Sequence, residues 1–246
     1  MSTAHRWARR YWNAGLRVTA GLRLHSESVS PLVPNDLFQA HLSIYRFFGS
    51  RARGRRALDL GSGTGYGADH LLTAGAREVV GIDLDPRSVS FARRRYGGRP
   101  GLSFRVADAE DLPQDLGRFD LIVSSNVLEH LHDPRATLRS IAGLLEPTGE
   151  LGLVVPPIVG AQSMQANQRI RFHHSNLYLW EWIEMLRGNF EKVWGYCHSA
   201  AAGPSLDFTD PFPSRWTSAD FTFTEVSPDD LAALPTLGAV FLCSGA

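Results

Sequence analysis

The sequence predicts an α/β fold, a mostly parallel sheet with helices on both faces and a helical extension at the N-terminus. Three observations carry that reading. From Arg56 onward, short apolar runs alternate with helical stretches, the signature of βαβ units. The first apolar run ends in a glycine-rich turn, Gly61-Ser62-Gly63-Thr64-Gly65, that opens a helix. The next two runs are each followed by an aspartate, Asp83 and Asp108, at the carboxyl edge where open sheets bind ligands.

The elements follow in order. Residues 1–54 read as a helical cap. Ala4–Ala20 is rich in Arg, Ala, Leu and Trp, and its Arg6, Arg9, Arg10 and Arg17 read as a solvated face. Asn35–Phe48 repeats apolar residues at helical spacing through Leu37, Phe38, Leu42, Tyr45 and Phe48. Between them, Ser26–Pro34 reads as a loop.

Residues 55–246 read as one ligand-binding domain. Strands are expected at Ala57–Leu60, Glu78–Asp83, Leu102–Ala107, Phe119–Ser124 and Glu150–Val155. Helices are expected at Gly65–Ala74, Pro86–Tyr96 and Pro134–Leu145, the last two opened by proline. After Pro157 the regularity fades, leaving a helix at Ser175–Arg187 and strands at Phe190–Cys197 and Ala239–Ser244. Ser199–Pro235, rich in Pro, Ser, Thr, Asp and Phe, reads as a long loop, and loops of that length are usually functional. Insertions over 157–189 and 199–236 are read as acceptor-binding and lid segments.

Composition narrows the function. The 25 basic and 25 acidic side chains balance, which argues against a dedicated nucleic-acid binder and for a small-molecule partner. Cys197 and Cys243 form no CxxC or Cys/His cluster, so a zinc site lacks a ligand set there. They read as reduced, buried thiols of a cytoplasmic protein. No apolar run approaches the roughly 18 residues of a membrane span, and no apolar stretch behind the N-terminal arginines suggests a secretory signal. A homodimer is the assembly to test.

Four motifs carry chemistry. The first is the turn after Asp59: Gly61, Ser62, Gly63 and Gly65 let a ligand lie against backbone, and the following helix offers free N–H groups to an anion. Such a turn could hold NAD, FAD or another ligand. Its spacing is GxGxG, however, not the GxGxxG of dinucleotide sites. Asp59 adds a carboxylate suited to an ammonium and unsuited to a pyrophosphate, which favours the amino-acid half of S-adenosylmethionine. The second motif places Asp83 for ribose hydroxyls and Leu84 for a purine face, with Asp85 as cap of the next helix. The third places Asp108 to accept from an adenine amine and the Ala109 N–H to donate to a ring nitrogen. The fourth, Phe119–Leu131, brings polar groups including Ser125 to the edge of strand four, facing the reactive end of the ligand.

With these four runs in this order, the chain resembles the class I S-adenosylmethionine-dependent methyltransferases over about residues 40–200. It is most similar to the small-molecule branch that holds the ubiquinone-biosynthesis and natural-product enzymes. The resemblance implies a Rossmann-like sheet of seven strands, the last antiparallel, with Ala239–Ser244 inserted as that last strand. It implies S-adenosyl-L-methionine as methyl donor, leaving S-adenosyl-L-homocysteine, and an oxygen or nitrogen of a secondary metabolite, sugar or quinone-like acceptor. It places His41 or Tyr45 near the methionine half. The Asn/Asp-Pro-Pro-aromatic motif of nucleic-acid amino-methyltransferases is replaced by Ser125-Asn126-Val127-Leu128. Ubiquinone-pathway relatives can carry Glu-x-x-Glu-His as a metal site; here the positions read Asn126, Glu129 and His130, so no metal is expected.

An oxygen acceptor must lose a proton, and an imidazole suits that task. His130, His173 and His174 are the candidate bases, with His132 read as exposed. Trp180, Trp182, Trp194 and Phe172 could face an apolar acceptor, although core packing explains most such aromatics. A different class of function, a cofactor-binding scaffold that catalyses a reaction such as cyclisation, is the competing expectation.

Overall fold

The computed structural model describes residues 29–200, 206–208 and 213–246. The helix expected at Ala4–Ala20 lies outside them. Among the described residues eight strands form one sheet: β1 (Arg56–Leu60), β2 (Glu78–Asp83), β3 (Leu102–Val106), β4 (Phe119–Ser125), β5 (Leu145–Val155), β6 (Lys192–Ala200), β7 (Phe221–Val226) and β8 (Ala239–Ser244), in the order β3-β2-β1-β4-β5-β8-β6-β7. β1 to β5 are mutually parallel. β8 runs antiparallel between β5 and β6, so the terminal strand is inserted as expected.

The seven-strand expectation is corrected to eight. The extra strand, β7, pairs with β6 inside the stretch read as a long loop. Phe221-Thr222-Phe223-Thr224-Glu225-Val226 alternates apolar and polar residues, a period-two signal masked by the prolines and serines around it. Phe223 stacks on Phe47 at 4.5 Å and on His198 at 4.7 Å, which gives the strand its anchor.

Among the described residues six α-helices accompany the sheet: α1 (Asp36–Gly49), α2 (Tyr66–Thr73), α3 (Pro86–Tyr96), α4 (Pro134–Leu144), α5 (Ala161–Gln168) and α6 (Leu179–Arg187). Local chemistry starts them. Asn35 accepts from the Phe38 N–H at 3.0 Å, and Asp85 and Asp133 cap the proline-opened α3 and α4. α5 was not legible because its Ala/Gln/Asn sequence has no apolar period. α6 begins at Leu179 rather than Ser175, where the Glu181 carboxylate accepts from the Tyr178 N–H.

Successive residues of a strand point to opposite faces, so the sheet carries two cores. Leu58, Leu60 and Ile122 pack with Leu138 of α4 and Trp182 of α6. Ala57, Leu121 and Val123 pack with Phe48 of α1, Leu71 of α2 and Val89 of α3. Both layers hold the carboxyl ends of β1, β2 and β4 side by side. No helix among the described residues is long and apolar enough to cross a membrane.

Candidate functional site

The glycine turn leaves β1 and is tied down at once. The N–H groups of Gly61 and Ser62 both donate to the Ile82 carbonyl at 2.8 Å, and the Gly63 N–H donates to Asp83 Oδ2 at 2.7 Å. Asp83 Oδ1 accepts from the Asp85 N–H at 2.9 Å, so this one carboxylate braces the turn and the β2–α3 junction. Gly61, Gly63 and Gly65 take φ of 75°, 51° and 85°, where L side chains are strained. A Cβ on Gly61 would lie 2.3 Å from Val127, whereas one on Gly63 would meet no atom within 4 Å. The turn is therefore closed on its Gly61 side by packing and open at Gly63.

Asp59 is fully buried beneath this turn. Its Oδ1 accepts from the Tyr45 hydroxyl at 2.8 Å, and its Oδ2 makes no hydrogen bond among the described residues. Burial pushes its pKa up to about 7; the Tyr45 hydrogen bond opposes that rise, the Asp83 charge adds to it, and the Ala68 backbone N–H facing the same carboxylate also opposes it. A buried carboxylate with an unmatched oxygen is costly unless a cationic donor meets it. Tyr45 reaches Asp59 because residue 67 is glycine: a Cβ there would lie 2.2 Å from the Tyr45 ring. Burial and the Asp59 charge hold the Tyr45 hydroxyl protonated, its pKa well above the usual phenol value. His41, offered beside Tyr45, is held down to about 4 by burial. Thr64 donates to the Val29 carbonyl at 3.0 Å, which lays the chain before α1 against the turn.

Beyond Asp83 the edge turns apolar and exposed. Leu84 is 65% exposed and Val106, the register partner of Asp83, is 48% exposed. Asp108 Oδ1 accepts from the Glu110 N–H at 2.9 Å, shaping the loop that carries Ala109. Ser125 is buried at the end of β4, 3.5 Å from Asn126 Oδ1. Asn126 takes φ 55°, a left-handed conformation that asparagine tolerates better than most residues. The donor set therefore fits an amino-acid–nucleoside ligand: a carboxylate for an ammonium, open backbone at Gly63, a carboxylate at the second strand and an exposed apolar face at Leu84.

The histidines gather on the other side of β4. The turn Leu128–His130 follows Val127, which presses on Gly61. Residues 172–176 fold back on it, with the Ser175 N–H donating to the Glu129 carbonyl at 3.0 Å and its hydroxyl to the Leu131 carbonyl at 2.6 Å. The rings of His130 and His173 come within 4.9 Å, and those of His132 and His174 within 4.4 Å. His130 Nδ1 lies 3.0 Å from the Phe172 carbonyl, and His173 Nδ1 lies 2.6 Å from Asn167 Oδ1. Burial, with His130 and His174 as like neighbours, lowers the His173 pKa to about 4. Glu129, His130 and His173 place ligand-capable atoms within 4.8 Å of one another. Reading positions 126–130 alone misses this group, because His173 is 43 residues from His130 and no local spacing joins them. Asn167 and Asn176 also escaped the sequence reading. Of the aromatics, Trp182 is core, while Trp180 is 61% exposed.

A methyltransferase-domain family model matches residues 58–153. A probable S-adenosylmethionine-dependent methyltransferase of Mycolicibacterium smegmatis is 31% identical over 169 residues, 68% of this chain and 64% of that protein. A ubiquinone biosynthesis O-methyltransferase of Xanthomonas axonopodis is 38% identical over 102 residues, 41% of this chain and 42% of that protein. The chain thus spans less than two thirds of either relative. Among solved structures, a possible histamine N-methyltransferase of Thermotoga maritima superposes with a TM-score of 0.63 at 17% identity, covering 96% of this chain and 97% of that one, a likeness of fold.

Proposed function

We propose that this chain, which belongs to the class I S-adenosylmethionine-dependent methyltransferases, transfers the donor's methyl group to an oxygen or nitrogen of a small cytoplasmic molecule. The observation that carries the reading is Asp59, buried under an open glycine turn with one oxygen unmatched.

S-adenosylmethionine supplies a sulfonium methyl that an acceptor oxygen or nitrogen attacks in line. Asp59 takes the donor's ammonium, oriented by the Tyr45 hydroxyl. Gly61, Ser62, Gly63 and Gly65 lie along the donor's amino-acid half, and Asp83, held by the Gly63 and Asp85 N–H groups, meets the ribose hydroxyls. Leu84 covers one purine face, while Asp108 and the Ala109 N–H read its edge. Ser125 borders the transfer point at the end of β4. On the acceptor side, the His130, His173 and His174 group removes the proton of a hydroxyl acceptor. Zero net charge favours an acceptor that is not a nucleic acid. The segment at 157–189 forms the acceptor pocket.

The test is incubation with methyl-labelled donor and a panel of hydroxylated and amine-bearing small molecules. Label in an acceptor supports the reading. Tight S-adenosylhomocysteine binding with no label leaving the donor across the panel would instead favour a scaffold that uses the cofactor for another reaction.

A further inference from the structure

We propose that Glu110 is a positioning residue that ties the loop reading the donor's adenine to the loop after β4, so that one clamp sets both Asp108 and the acceptor-side histidines. The placement of adenine at Asp108 rests on the reading above, while the clamp rests on distances alone.

Glu110 Oε1 accepts from two successive backbone N–H groups, His132 at 2.9 Å and Asp133 at 2.7 Å. Adjacent N–H groups that converge on one oxygen form a small anion-binding concavity. They lie just ahead of α4, where the helix dipole also favours a carboxylate. α4 does not need this group in order to start. Pro134 opens the helix, and Asp133 Oδ1 caps it by accepting from the Ala136 N–H at 2.8 Å. A second carboxylate, brought from 22 residues away, therefore joins two loops and does not begin a helix.

Both ends of the clamp lead into the site. On the donor side, the Glu110 N–H donates to Asp108 Oδ1 at 2.9 Å, and the Asp111 N–H donates to the Asp108 carbonyl at 3.2 Å. These bonds close a tight turn over 108–111, and Glu110 fixes where that turn stands against the loop after β4. Ala109 and Val127, one from each loop, pack against the core that holds Leu128 and Leu131. On the acceptor side, the His132 ring lies 4.4 Å from that of His174, and the Ser175 hydroxyl donates to the Leu131 carbonyl at 2.6 Å. Releasing Glu110 loosens both ends at once. Its side chain is exposed, so removing it leaves no cavity in the core.

The consequence is readable in base discrimination. Adenine presents an amine donor and a bare ring nitrogen. Hypoxanthine presents a carbonyl and an N–H in their places, so Asp108 and the Ala109 N–H meet groups of the wrong sense. A mismatch that strips a hydrogen bond from a charged group costs about tenfold or more in affinity. That selectivity exists only while the turn is held at its distance from the base.

Calorimetric titration of S-adenosylhomocysteine and of S-inosylhomocysteine tests the clamp, with melting temperature measured on the same samples. The unmodified protein should prefer the adenine ligand by about tenfold or more. Glu110→Ala should reduce that preference to about twofold or less, and Glu110→Gln, which keeps an acceptor oxygen, should recover most of it. Asp133→Ala, which removes only the cap of α4, should lower the melting temperature and keep the full preference. A residue that merely capped α4 would behave as Asp133 does. Amide exchange of the unmodified protein gives a second readout. Saturating S-adenosylhomocysteine should slow exchange at His132 and Asp133 by about threefold or more, and saturating S-inosylhomocysteine should slow it less. Full preference in Glu110→Ala, no recovery in Glu110→Gln, lost preference in Asp133→Ala, or equal exchange with the two ligands overturns the proposal. Absence of S-adenosylhomocysteine binding by the unmodified protein would sink the methyltransferase reading, and the proposal with it.

Discussion

The two sides of the β4 edge are built by opposite means. On the donor side, Asp59, the glycine turn, Asp83 and Leu84 come from one 26-residue stretch, and backbone hydrogen bonds fix them before any ligand arrives. On the acceptor side, Glu129 and His130 meet His173 across 43 residues, joined by side chains gripping a loop. The donor half is rigid by topology; the acceptor half is rigid by contacts that a single substitution can release. Changes on the donor side should move affinity for S-adenosylhomocysteine. Changes on the acceptor side should move turnover and leave that affinity alone.

The largest expected effect breaks the acceptor half. For a hydroxyl acceptor, Gln in place of whichever of His130, His173 and His174 takes the proton should lower kcat about 100-fold or more, since a positioned general base contributes at that scale, while S-adenosylhomocysteine affinity stays within about twofold. Steady-state kinetics beside calorimetry reads both, and an equal loss in the two would erase the division between the halves. Next comes Asp59→Asn, which removes the charge meant for an ammonium while keeping the shape. Affinity should fall about 100-fold, the scale for removing one partner of a buried charge pair. The free protein should also change. The folded site raises the Asp59 pKa from 3.8 to about 7, so its stabilising contribution is present in acid and is lost as pH rises through that window. Melting curves of the Asn variant should lack this decline.

Smaller effects separate positioning from contact. Tyr45→Phe deletes the hydroxyl that donates to Asp59 at 2.8 Å. About a tenfold loss of affinity at neutral pH is expected, with the pH midpoint of binding moved upward, because the carboxylate has lost its hydrogen bond. An unshifted midpoint would demote Tyr45 to packing. Gly63→Ala and Gly61→Ala form a pair within the turn. The first adds a methyl where nothing stands within 4 Å, so it should cost about 1 kcal/mol of stability for its φ while blocking ligand binding more than tenfold. The second drives a methyl into Val127 and should cost about 2–4 kcal/mol, strain and overpacking together. Chemical denaturation with binding assays distinguishes them. Smallest, Leu84→Ala should reduce affinity only a few-fold and leave stability unchanged, since the side chain is largely exposed.

How much was legible divides along the same line. Strands β1 to β4 and helices α3 and α4 could be read because apolar runs, Asp85-Pro86 and Asp133-Pro134 are local signals. Asp59 and Asp83 could be read because a strand ends where its sequence says it ends. β7 went unseen because an alternation of six residues competes with the prolines around it. The Glu129–His130–His173 group went unseen because only the tertiary path of residues 172–176 creates it. Tyr45 lies between: its helix was legible, but its hydrogen bond to Asp59 depends on Gly67 leaving room for the ring.

The central claim is that a buried, ionisable Asp59 receives the donor's ammonium. Calorimetric titration of S-adenosylhomocysteine across pH tests it most directly. Binding favours the carboxylate, so below about 7 each complex formed releases a proton, and affinity should rise about tenfold per pH unit before levelling. In the Asp59→Asn variant the profile should be weak and flat. Affinity independent of pH in the unmodified protein, or a slope that survives in the Asn variant, would contradict the account.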